Sequence, residues 1–266
     1  MEKKKFGFKT VLESLDVAFS MYSALPMPQI MWNEQNMKYM LAFFPLVGLV
    51  QGALLMGWVF LAEYLQVNAI VFAAIAMLIP LLVTGGIHLD GLCDTIDARA
   101  SHQEREKKLE ILKDPHTGAF AVMGCAAYLL LTFALWTQPV GADRLLTAKI
   151  MSVGYVLSRA MSTFAVVLFP CAKNSGLVHA FSSAAQKKNV RIAAVLYILI
   201  CAGTLLWIDL LAGAIVLAGC GLVFWYYHHM AMKEFGGTTG DLAGYFLQIN
   251  EIVMLLICVG ISVLSK

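Results

Sequence analysis

The chain has 266 residues, 60% of them hydrophobic and 14% charged, with a mean hydropathy of +0.75. Soluble domains carry about a quarter charged residues, so this composition excludes a water-solvated surface over most of the molecule. A net charge of +2 is too small to indicate a nucleic-acid partner, and the placement of the charges reports membrane orientation instead.

In chain order, residues 9–24 read as a helix lying along the membrane surface, inside an N-terminal interfacial segment of residues 1–37. Glu13 and Asp16 interrupt its apolar run and no convincing cleavage site follows, which excludes a signal peptide; Pro26 and Pro28 end it. Seven apolar runs follow, near 40–62, 68–89, 117–137, 145–170, 192–208, 209–228 and 250–265. Each approaches the about 20 residues needed to cross the hydrocarbon core, and they are continuous rather than alternating, so helices are expected instead of barrel strands. The fold class is therefore all-α: one polytopic membrane bundle over 1–266, in contact with the lipid bilayer on all sides.

Lys3, Lys4, Lys5 and Lys9 precede the first run; Arg99, Arg105, Lys107, Lys108 and Lys113 follow the second. Lys173, Lys187, Lys188 and Arg191 follow the fourth, and Lys233 follows the sixth. The excess of positive charge in cytoplasmic loops places the N-terminus and loops at 93–116, 171–191 and 229–249 inside the cell. The six cysteines are scattered without C-x-x-C spacing, which indicates neither a disulfide framework nor a zinc site.

Three inward segments concentrate the polar residues. In the first, Asp90, Asp94 and Asp97 stand at i, i+4 and i+7, which puts three carboxylates within an arc of about 60° and about 10 Å of one helix face. Like charges so close require something positive among them, and oxygen-only ligation suits Mg2+ or Mn2+. The ordinary alternative, a solvated helix face, accounts for one aspartate better than for three at the end of an apolar span. His88 on a regular helix points about 160° from Asp90, so it joins the site only if Gly85 and Gly86 break the helix. Residues 99–114 read as a charged helix ending at Pro115, solvated at Glu104, Glu106 and Lys107; Lys113 and Asp114 arrive just before re-entry at Gly118, where a cation could face a phosphate and an acid a metal or hydroxyl.

The run Gly236, Gly237, Thr238, Thr239, Gly240, Asp241 can offer backbone N–H groups and hydroxyls to an anion, although a helix cap would use the same residues. Asp241, Gln248 and Glu251 lie within about 80° on the final helix, facing a bundle interior. Arg159, in the middle of the fourth span, requires a buried carboxylate or a substrate phosphate. Tyr226, Tyr227, His228 and His229 read as interfacial residues.

The stretch from Gly85 to Asp97 resembles the G-G-x-H-x-D-G-x-x-D-x-x-D signature of the cobalamin synthase family, the adenosylcobinamide-GDP ribazoletransferases. Leu109 to Asp114 with Gly118, and Gly236 to Asp241 with Gly244 and Glu251, are similar as well. So are Pro26, Pro28, Phe44 to Gly48, Ser158 with Arg159, and Ala172 with Lys173. The sequence departs from the pattern at Ala24, at Ala98 with Arg99, and at Gln248, where a glutamate is usual. The resemblance implies that adenosylcobinamide-GDP and alpha-ribazole, or its 5'-phosphate, give adenosylcobalamin, or its phosphate, and GMP with Mg2+ as cofactor. It implies Asp90, Asp94, Asp97 and Asp241 as metal ligands, Asp114 as base, and Lys113, Arg159 and Lys173 as cations facing phosphate. Substrate contacts are expected from His88, Lys173, Gly237, Thr238, Thr239, Gly240 and Glu251. The setting is a bacterial or archaeal cell membrane with the site facing the cytoplasm, and a homo-oligomer or a complex with other cobalamin-assembly enzymes is the expected association. Two rivals are a CDP-alcohol phosphatidyltransferase, whose downstream G-x-x-x-D-x-x-x-D is missing, and a cation transporter, against which the acids gather at one membrane edge.

Overall fold

In lipid an apolar run must satisfy its own backbone hydrogen bonds, and each run above does so as a helix. A computed structural model describes residues 7–172 and 185–264. Helix α1 (Phe8–Tyr22) is followed by a short turn of helix α2 (Glu34–Met37), capped by the Asn33 side chain. Then come α3 (Met40–Tyr64), α4 (Ala69–Thr84), α5 (Ile87–Ala100), α6 (Arg105–Ile111), α7 (Ala119–Trp136) and α8 (Gly141–Leu168). The chain closes with α9 (Lys187–Ile208), α10 (Leu210–Met230), a π-helical turn (Ala231–Phe235) and α11 (Gly240–Leu264). Among the described residues six helices are long and apolar enough to cross a membrane, and α4 with α5 forms a seventh segment bent by 92°. The chain is a polytopic helical membrane protein.

Helix α8 is the central post, packed against α3, α9 and α11. Its buried face carries Tyr155, Ser158, Arg159, Ser162 and Thr163, a polar stripe that lipid could not solvate. The outer faces of α9 and α10 bear exposed apolar side chains such as Leu199, Ile200, Trp207 and Leu222, as lipid contact requires.

Three expectations change. The run at 68–89 is not one straight span, because Gly85 and Gly86 end α4 and α5 leaves at nearly a right angle. The segment 229–249 is helical except at 236–239: α11 begins at Gly240, ahead of the apolar run, and Gln248, which lowers the hydropathy there, is buried in the bundle. The stretch 93–116 is also largely helical, but the charged helix within it covers only Arg105–Ile111, since the chain breaks after α5 where His102 takes φ 50°. Of the basic loop at 171–191, residues 173–184, with Lys173, lie outside the described residues, and α9 already begins at Lys187.

Beyond α5, Glu234 of the π-helical turn receives Arg99 at 3.1 Å and Lys108 at 2.8 Å, tying α5, α6 and the turn together.

Candidate active site

The corner between α4 and α5 builds the site. Gly85 and Gly86 both take left-handed φ values, 62° and 83°, which side-chain-bearing residues rarely adopt. Ala24 fits beneath this corner and donates its N–H to Val83 O at 2.8 Å, so the end of the N-terminal segment is pinned to it. After the turn α5 crosses the first turns of α11. The approach is so close that a Cβ on Gly91 would lie 2.7 Å from the backbone oxygen of Asp241. Gly91 thereby sets Asp90 and Asp94 beside Asp241.

Asp94 shows the consequence. Burial, followed by the charges of Asp90, Asp241 and Asp97, pushes its carboxyl up to about 6. The four aspartates thus form one electrostatic unit, but they are not equivalent. Both oxygens of Asp97 accept backbone N–H groups at the start of α7, from Gly118 at 2.6 Å and Ala121 at 2.8 Å. Asp97 caps a helix in trans. Asp90 is exposed, while Asp94 and Asp241 are half-buried.

His88 occupies the first turn of α5 and is enclosed, its ring 5.6 Å from that of Phe44 and 6.5 Å from that of Tyr22, nearly parallel to the latter at 15°. The helix break brings it to the same cavity as Asp90, Gly240 and Asp241, a space of about 140 Å³. Tyr22 and Ser162 line that cavity too. Sequence spacing gave no signal for either, because they come from α1 and α8 and meet the cluster only through packing.

Of the remaining candidates Thr239 touches the cluster, and the others lie elsewhere. Asp114 sits on an exposed turn, accepts from His116 Nδ1 at 2.7 Å and from the His116 N–H at 3.0 Å, and is held below the usual carboxylate range by those bonds. It makes no hydrogen bond or ion pair with the cluster, and Lys113 beside it is exposed. Gly237 and Thr238 lie against residues 170–172: Thr238 donates to Pro170 O and Ala172 donates to Thr238 O, both at 2.9 Å. Thr239 accepts from the Leu242 N–H at 3.2 Å, the helix-cap role foreseen as the ordinary alternative, and its hydroxyl also donates to the Asp241 carboxylate at 3.4 Å.

Arg159 is fully buried and bonded to Glu251 at 2.7 Å, with Ser158 also donating to that carboxylate at 3.0 Å. The contact uses only Nη1; Nε and Nη2 of Arg159 are buried without a hydrogen-bond partner among the described residues. Arg159, Glu251 and Gln248 line a separate internal space of about 30 Å³, large enough for a water or two.

Among the described residues no three His, Cys, Asp or Glu side chains already enclose one point as a metal cage. Mg2+ does not require one, since it keeps several waters and binds through one or two carboxylates plus substrate phosphates. A crowded, oxygen-only group in which Asp94 resists ionisation fits that cation.

The profile described as cobalamin-5-phosphate synthase matches residues 14–259. A protein of Lachnoclostridium phytofermentans named adenosylcobinamide-GDP ribazoletransferase is 43% identical over 242 residues, covering 91% of each chain. Namesakes from Clostridium botulinum and Pseudomonas savastanoi are 30% and 34% identical, over 92% and 81% of this chain and 96% and 86% of their own. No solved structure matches. With the match running from α1 to near the end of α11 and taking in both sides of the aspartate crossing, the chain belongs to the cobalamin-5-phosphate synthase family.

Proposed function

We propose that the chain joins adenosylcobinamide-GDP to alpha-ribazole, or to its 5'-phosphate, releasing GMP and giving adenosylcobalamin or its phosphate. The observation that carries this reading is the crossing at Gly91, which places Asp90 and Asp94 beside Asp241 in a chain whose relatives are named for that transfer. In the reaction a ribose hydroxyl oxygen of the acceptor, one that a 5'-phosphate leaves free, bonds to the phosphorus attached to the cobinamide arm. The phosphoanhydride bond to GMP breaks, and the hydroxyl proton is lost.

Asp90, Asp94 and Asp241 would hold Mg2+, which neutralises charge on the diphosphate and orients it. Asp97 holds the start of α7 against α5 and so fixes the position of the cluster. The base assigned to Asp114 loses support from its exposed position and its bonds to His116. Arg159 ties α8 to Glu251 of α11 through Nη1, while its Nε and Nη2, without hydrogen-bond partners among the described residues, leave donors for a substrate oxygen. The positive flanks of the inward loops support a site open to the cytoplasm.

Purified protein incubated with adenosylcobinamide-GDP, alpha-ribazole and Mg2+ should release GMP, and omission of either organic substrate should stop it. GMP release that is independent of alpha-ribazole would refute the transfer.

A further inference from the structure

The cavity beside the aspartates has two unlike ends. Asp90, Gly240 and Asp241 stand at one; the rest is walled by Tyr22, Phe44, Leu41, Val166 and Ser162, with His88 between. This apolar part has no place in positioning a metal or a diphosphate. It is not closed by core packing either, since about 140 Å³ stays open in a region where neighbouring side chains are enclosed. A cavity of about 150 Å³ lined by apolar side chains is known to take up a single benzene ring, whereas a long acyl chain needs several times that volume.

The lining also has a polar requirement. His88 is 5% exposed, and its Nδ1 is wholly enclosed with no hydrogen-bond partner among the described residues. A buried polar group in that condition is usually satisfied by a bound molecule or water. The Tyr22 and His88 rings are 15° from parallel, and the Phe44 ring, tilted 39° with its centroid 4.2 Å from that of Tyr22, adds a second aromatic wall against which a flat ring can pack.

We propose that this cavity receives the aromatic base of the acceptor nucleoside: a flat, nitrogen-containing ring system stacked on the Tyr22, Phe44 and His88 surface, with its ribose directed toward Asp90 and Asp241. The assignment rests on the ribazole-transfer reading, because it places the attacking ribose hydroxyl of that acceptor at the aspartates. Tyr22 belongs to α1, so the N-terminal helix contributes a wall of the acceptor site, and Leu41, Val166 and Ser162 set the size of base admitted.

Two variants test it. Ser162→Leu fills the cavity from α8, and Leu41→Ala enlarges it from α3. Ser162→Leu is expected to raise KM for alpha-ribazole at least tenfold while KM for adenosylcobinamide-GDP and the Mg2+ dependence change less than twofold. Leu41→Ala is expected to shift the kcat/KM ratio of a larger-ring to a smaller-ring ribazole analogue at least fivefold toward the larger. Equilibrium titration with alpha-ribazole alone reads binding without turnover, and Ser162→Leu should weaken it by a similar factor. Absence of GMP release by the unaltered chain would defeat the transfer reading. Turnover, or alpha-ribazole binding, that neither variant changes would overturn the cavity assignment, as would a rise in the corrinoid KM alone. Should Ser162→Leu fail to assemble, the Leu41→Ala ratio decides.

Discussion

Arg159 donates from Nη1 to Oε1 of Glu251 at 2.7 Å, with 0% and 4% of the two side chains exposed. Breaking such a pair on one side leaves an uncompensated charge in the bundle. Glu251→Gln is expected to lower stability by about 3–5 kcal/mol. The double replacement Arg159→Met with Glu251→Leu should recover most of that, because both charges leave together. Thermal unfolding in detergent measures both. If the pair is structural, the double variant also retains GMP release, and its complete loss would return Arg159 to the reaction.

The crossing of α5 and α11 tolerates no side chain at Gly91. Gly91→Ala would drive a Cβ to 2.7 Å from Asp241 O, so α5 must move and Asp90 and Asp94 with it. Activity is expected to fall at least about a hundredfold, as a displacement of about 1 Å can cost. Gly57→Ala on α3 is the matched control: nothing lies within 4 Å of its Cβ, and it should be neutral or stabilising by up to about 1 kcal/mol. Turnover per folded molecule, with size-exclusion profiles, checks the contrast.

Two aspartates of one stripe should fail in different ways. Asp97→Ala removes both acceptors from the start of α7 and is expected to cost about 0.5–2 kcal/mol of stability, the usual range for a lost cap. Asp94→Ala should instead abolish GMP release with expression and membrane insertion intact. Equal loss of melting temperature in both would refute the division.

Magnesium binding should depend on pH through Asp94. A carboxyl raised from 3.8 to about 6 contributes stability below its unfolded value and loses it as pH rises through about 6. Above that range the repulsion is relieved by metal instead of a proton. The stabilisation conferred by Mg2+ should therefore be larger at about pH 7.5 than at about pH 5.5, and apparent affinity should fall up to about tenfold per pH unit once the proton competes. Thermal shift against Mg2+ concentration at several pH values measures this, and Asp94→Asn should flatten the dependence.

Helix type and membrane class are legible in the sequence because long apolar runs have one solution in lipid. The aspartates, too, are conspicuous at i, i+4 and i+7. The right angle at Gly85 and Gly86 is less so: a glycine pair marks a break but not its direction, and the direction decides that His88 meets the cavity. Hydropathy alone starts the last apolar run at residue 250, because Asp241 and Gln248 lower it, although the helix begins at Gly240 and Gln248 is buried in the bundle. Asp97 illustrates the remaining gap. On the helix it shares a stripe with Asp90 and Asp94, yet its oxygens are claimed by α7, which no spacing within α5 can reveal.

Had α4 continued straight through Gly85, the residues of α5 would extend about 21 Å beyond it as a lone arm in water. There the aspartates would be screened from one another and from Asp241, and a charged arm would have little hold on any substrate. Folding it flat lays the carboxylates across the first turns of α7 and α11, where Asp97 already accepts two N–H groups and the helix ends carry a positive potential. The corner therefore acts as an electrostatic economy of the fold: two helix ends partly offset the acidic crowd that α5 and α11 bring together.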